Sequence, residues 1–209
     1  MPARQQQSLA QEAPRARHGT LRGLPRLFLL ASSVLIGSAA LLPLWKISLH
    51  APQYPEGLRM KIWARGISGD LNNINELNHY IGMRSIQVSD FKEFRYLSWL
   101  LLVLALVGLL AWASRGLKLL WIYVACILLT GAAGLFDFYR WEYAYGHQLD
   151  PRAAIKIPGM SYQPPLFGYR QLLNFLAASF PDLGGWMVIL AGLLAMGVLV
   201  WQSFRSRSF

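Results

Sequence analysis

Cysteine is nearly absent from this 209-residue chain: Cys126 stands alone, so no intramolecular disulfide is possible and cysteine usage does not report the redox compartment. Charge is scarce too. Only 14% of residues are charged, against about 25% in an ordinary soluble domain. Acidic residues are the scarcer sign, ten against twenty Lys and Arg. No Gly-rich phosphate loop, His-Glu-x-x-His, Cys-x-x-Cys, nucleophile–base motif or Cys-x-x-Cys-His haem-attachment motif occurs, which argues against a familiar hydrolase or redox enzyme. What the chain has in quantity is apolar surface. Hydrophobic residues make up 55% of it and its mean hydropathy is +0.33, which excludes a disordered chain.

The apolar residues are clustered. Four runs, 27–45, 96–113, 119–136 and 185–204, carry no charge through their central parts and approach the roughly 20 helical residues needed to cross about 30 Å of hydrocarbon. Backbone inside a bilayer must satisfy its own hydrogen bonds, so these runs are expected to be helices. The first exceeds a signal-peptide core in length and is expected to remain as an anchor, although Ser38-Ala39-Ala40 supplies the small residues a cleavage site uses. The expected architecture is therefore an all-α membrane protein of four transmembrane helices: a basic tail 1–26, helix 27–45, exported loop 46–95, helix 96–113, cytoplasmic turn 114–118, helix 119–136, exported loop 137–184, helix 185–204 and tail 205–209. The two exported loops are expected to form a cap.

Charge placement sets the orientation. Tails and turn carry nine basic residues and one acid, Glu12; the two long loops carry eleven and nine. The positive-inside rule puts both termini in the cytoplasm and both loops outside. The net charge of +10 is thus explained by topology and anionic lipid, and nucleic acid is not an expected partner. Trp45, Trp99, Trp112, Trp121 and Trp201 fall near span ends, where indole rings prefer the headgroup region. Gly108, Gly131, Gly134, Gly192 and Gly197 read as close-packing sites within the spans.

Within the loops, Leu58 to Ile62 alternates as a strand does, Asp70 is placed to cap a helix over 71–80, and Gly82 ends it. The third span is expected to continue as a helix to Tyr145, with Gly146 as its stop. Residues 171–179 are expected to form an amphipathic helix with Leu172, Leu173, Phe175 and Leu176 on one side. Three of four histidines (His50, His79, His147) and three of six methionines (Met60, Met83, Met160) fall in these two loops. Imidazole with thioether suits copper, the thioether favouring Cu(I). Each residue taken singly reads more simply as surface histidine or hydrophobic filler.

The segments Tyr54–Met60, Leu77–Met83, Tyr145–Asp150, Ile157–Met160 and Tyr162–Leu166 resemble a small four-span membrane protein. Its gene lies in bacterial, notably second-clade, nitrous-oxide reductase clusters beside copper-delivery and ABC-transporter genes. The resemblance covers about residues 30–200 and excludes the N-terminal tail. It implies a non-enzymatic accessory role in assembling or supplying a periplasmic copper enzyme at the bacterial inner membrane. Partners would be that enzyme or its maturation proteins. The resemblance supplies no ligand set of its own; His79, Met83, His147 and Met160, which lie inside the resembling segments, are carried over as the expected metal-handling residues, with copper as the ion. The alternatives are a non-metal scaffold that docks a partner protein and a quinone or electron-transfer subunit using Asp137, Glu142 and Asp182. The lack of charge at the centres of the spans argues against a pump or ion channel.

Overall fold

The computed structural model describes Leu21 and residues 23–205; the expected cytoplasmic tails, apart from Leu21, residues 23–26 and Arg205, lie outside the described residues. The elements are α1 (Leu24–Ala39), β1 (Pro43–Ala51), β2 (Tyr54–Trp63), β3 (Gly66–Gly69), α2 (Leu71–Tyr80), α3 (Leu97–Ser114), α4 (Leu117–His147), β4 (Gly168–Leu172), β5 (Phe175–Pro181) and α5 (Leu183–Arg205). Two short 3₁₀ turns, Val88–Asp90 and Lys92–Arg95, lead into α3.

Three helices, α3, α4 and α5, are long and apolar enough to cross a membrane, and the protein is a membrane protein on that ground. The all-α, four-span expectation is wrong in two respects. First, the run 27–45 is not one helix. α1 stops at Ala39 after 16 residues, about 24 Å of helix, and Pro43 already opens a strand. Proline cannot continue a helix and biases the residue before it away from helical geometry. Hydropathy alone does not separate an apolar helix from the apolar strand that follows it.

Second, the two long connections are not free of β-structure. They build one antiparallel sheet in the order β3-β2-β1-β5-β4. The expected strand at Leu58 to Ile62 is present and extends over all of β2. The expected helix over 171–179 is instead the hairpin β4–β5, with Leu172 opposite Phe175 and Leu173 in the left-handed region at φ 55°. Local spacing favoured a helix, but β5 lies between β1 and β4, pairing Ile47 with Ser179 and Leu49 with Ala177. The small, buried Ala177, Ala178 and Ser179 suit a strand flanked on both edges. Tertiary pairing outweighs local pattern here, as it routinely does in strands.

α2 has the expected bounds. The Asp70 side chain makes no cap bond and instead accepts the Arg59 main-chain N–H through Oδ2 at 2.8 Å. α2 lays Ile74 and Leu77 on the sheet, where Ile47, Leu58 and Met60 form a small core.

The helices pack as a ring in which α1 touches α3 and α5, and α4 closes on both. Leu29, Ile36, Leu104, Val124, Ala195 and Val198 fill its centre. Ser32 Oγ donates to the Ala191 carbonyl at 2.8 Å, so the Tyr123 hydroxyl, 2.9 Å away, is the donor to Ser32. Of the five glycines read as packing sites, Gly108 is the clear case: a Cβ there would collide with Ser33 and Tyr123, whereas nothing lies within 4 Å of one at Gly131, Gly134 or Gly197. At the ring's basic end, Arg26 donates to the Trp112 carbonyl at 3.3 Å and lays its guanidinium over the indole.

α4 is the longest element, 31 residues or about 46 Å. Its first part packs in the ring through Leu120, Tyr123, Val124 and Ile127; none of residues 128–136 is buried; then Glu142, Tyr145 and Gly146 are buried again. The last turns therefore stand beyond the apolar span. The helix runs past Gly146, the expected stop, to His147.

Tyr123→Phe is expected to leave the Ser32 oxygen without its donor and to lower stability by about 1 kcal/mol. Thermal melting of the detergent-solubilised protein measures this; an unchanged midpoint would remove the Ser32–Tyr123 bond from the account of the core.

Candidate functional site

The outer end of α4 is where the two long connections meet. Phe138 joins the sheet core, with its ring 5.4 Å from Trp45 in an edge arrangement. One turn on, Trp141 and Tyr145 pack against Phe91. The Tyr145 hydroxyl donates to Asp90 at 3.1 Å; burial first, then that bond and the Asp90 charge, push its pKa up to about 12. Gly146 is needed here because a side chain would run into the Gln163 backbone, and its carbonyl accepts the Tyr162 N–H at 2.9 Å.

Beyond α4 the chain runs back across the turn that follows α2. Asp150 N–H donates to the Gly82 carbonyl at 2.8 Å and Ile155 N–H to Tyr80 at 2.9 Å; within the α2 turn, Met83 N–H donates to Asn78 at 2.9 Å. Gly82 adopts φ 79°, and a Cβ there would press on the Asp150 backbone. These bonds define a cleft of about 560 Å³ with residues 79–85 on one wall and 148–154 on the other.

His79 and Met83 both line this cleft. α2 ends at Tyr80, so the turn at Gly82, not one helical face, brings them there. His147 is not among the lining residues and directly precedes one of them, Gln148. Its ring stacks on Tyr143 at 4.0 Å and its Nδ1 is 3.0 Å from the Tyr143 carbonyl, so Nε2 is the ring nitrogen outside that contact. Met160 belongs to the following irregular segment, half-buried, its N–H on the Ile157 carbonyl at 3.1 Å, and is not among the lining residues. The structure thus brings His79 and Met83 into one cleft, while His147 and Met160 are not among its lining residues. One imidazole and one thioether are a donor pair that fits Cu(I). Among the described residues no group of three or more His, Cys, Asp and Glu side chains gathers. Of the other loop donors, Met60 is buried in the sheet core and His50 is exposed on β1.

One residue carries chemistry that the sequence reading treated only as a charge near the membrane edge. Glu142 is 5% exposed, and neither carboxyl oxygen has a hydrogen-bond partner among the described residues. Burial pushes its pKa up to about 8. Neighbouring charges are engaged elsewhere: Arg140 pairs with Asp137 at 2.7 Å and approaches Glu93 at 3.8 Å, and Asp90 takes the Tyr145 hydroxyl. The signal in the sequence was its spacing, four from Phe138 and four from Gly146, which puts all three on one helix face.

No protein-family model matches the chain, and no curated protein matches it.

The Glu142 value is higher folded than unfolded, so between about pH 4.5 and 8 the unfolded chain ionises this carboxyl and the folded protein does not. Stability is expected to fall across that window, by roughly 1.4 kcal/mol per pH unit at most. Glu142→Gln is expected to flatten the fall in melting point between pH 5 and about 8; a parallel pH profile for the variant would show that Glu142 is ionised in the fold.

Proposed function

We propose that the protein is an integral membrane accessory factor, not an enzyme, that serves the maturation or activity of nitrous-oxide reductase and handles copper at the periplasmic face. The observation that carries this reading is the meeting of two of the family-like segments. Leu77–Met83 and Tyr145–Asp150 are far apart in the chain, yet the Asp150–Gly82 bond joins them as the two walls of one cleft. His79 and Met83 contribute the donors from the first wall, and His147 directly precedes the second wall in the chain. Copper in this reading is cargo. Lipid holds the three spanning helices, and the partner is the reductase or one of its maturation proteins.

The orientation proposed is that of a bacterial inner-membrane protein with the sheet outside and both termini in the cytoplasm. Arg115 in the α3–α4 turn and Arg26 at the start of α1 support it, because they lie at the same end of the ring, joined by the Arg26–Trp112 and Leu21–Arg115 bonds.

Competition titration of the full chain in detergent against a Cu(I) chelator is expected to give stoichiometric binding. His79→Ala with Met83→Ala is expected to weaken it by at least about tenfold, since even outer-shell changes cost about 10–100-fold. Wild-type protein that binds no Cu(I), or a double variant that binds as the wild type does, would leave a scaffold that docks a partner without metal. A phosphatase reporter inserted in the 148–167 segment is expected to be active; inactivity there, with activity at the C-terminus, would reverse the orientation.

A further inference from the structure

Two arginines, Arg84 and Arg152, line the same cleft from opposite walls. Their situations differ. Arg152 is 90% exposed and leans Nε on Asp150 Oδ1 at 3.4 Å; its main-chain N–H reaches the same oxygen at 2.8 Å. Lys156 adds a second positive charge near that carboxylate. The one acid of the cleft is therefore balanced within its own wall.

Arg84 has no such partner: its charge faces no carboxylate within ion-pair distance among the described residues. It is nevertheless held in place. The guanidinium lies over the Tyr145 ring, 4.9 Å from its centroid, and the Arg84 carbonyl accepts Asn78 Nδ2 at 3.5 Å. Tyr145 is itself fixed by burial and by Asp90. An arginine stacked on an aromatic face keeps its fork of N–H donors free for a planar acceptor. Beside it the lining offers the Ser85 hydroxyl and the apolar bodies of Met83 and Leu149.

We propose that this cleft binds a small organic oxyanion, a carboxylate or a phosphate ester, with Arg84 as its anchor, Arg152 facing it from the other wall, and Met83 and Leu149 against its carbon skeleton. The volume, about 560 Å³, falls in the roughly 300–1,000 Å³ range of small-molecule sites and exceeds what a bare ion needs. The inference does not rest on copper, because neither arginine belongs to the donor set.

Titration calorimetry of the full chain in detergent, in metal-free buffer of low ionic strength, tests it with succinate and with glycerol 3-phosphate as separate probes. Saturable binding of at least one is expected with a Kd below about 1 mM, weakening as salt rises; which probe binds identifies the acceptor chemistry. Arg84→Gln is expected to weaken it by at least about tenfold, and Arg84→Lys to restore part of the loss. The same Arg84→Gln protein is expected to keep wild-type Cu(I) affinity, which separates this site from the metal reading. If loss of the Tyr145 contact unfolds Arg84→Gln, Arg152→Gln decides, because its side chain is exposed: weakened binding upholds the site and unchanged binding overturns it. Failure of both probes to bind the wild type, or binding that survives in both variants, also overturns it.

Discussion

Strand β1 has a hydrogen-bonded neighbour along each edge. Ile47 faces Met60 of β2 on one side and Ser179 of β5 on the other. α1 feeds directly into β1, and β5 turns through Asp182 directly into α5. The Asp182 N–H donates to the Leu44 carbonyl at 3.2 Å. The register of one strand pair therefore fixes how two helices leave the sheet for the bilayer. Trp45 adds a side-chain tie across the same pair, its Nε1 donating to Ser179 Oγ at 2.8 Å. A one-residue slip would turn Ile47 out of the sheet core and move the starting points of the helices with it.

Hydrophobic runs made α3, α4 and α5 legible, because a long uncharged stretch admits few alternatives in the absence of competing charge. α2 was legible from Asp70 ahead of it and Gly82 behind it, and Ile74 and Leu77 on its inner face pack in the sheet core. The sheet was largely hidden. β1 begins within an apolar run that also contains α1, and the only mark of the change is Pro43. β5 has the composition FLAASFP, whose leucine, alanines and phenylalanines serve a helix as well as a strand. Its state is decided by β1 and β4, neither of which is adjacent to it in a way that periodicity records. The hairpin depends on Leu173 accepting a left-handed backbone, which leucine seldom signals.

The site was legible in part for a similar reason. His79 and Met83 stand close in sequence, so any turn between them keeps them close in space. His147 and Met160 are separated by a proline-rich segment whose path is set by main-chain bonds to Gly82, Tyr80 and Gly146. Those bonds join wall to wall and leave no trace in the residue types. Arg84 and Glu142 illustrate the converse. Each looks like an ordinary loop or helix charge, and its character comes from surroundings: an aromatic face under one, burial without a partner around the other.

α4 is fastened at both ends and bare between them, with no buried residue from 128 to 136. Among the described residues it is also the continuous helix that runs from the basic turn at Arg115–Gly116 to the start of the 148–154 wall. A tilted helix lets a membrane protein accommodate bilayers of different depth. In this molecule α4 leads directly into the 148–154 wall, and that wall is hydrogen-bonded to the 79–85 turn through Asp150 and Gly82, so a tilt of α4 would have to be shared by both walls and by the sheet behind them.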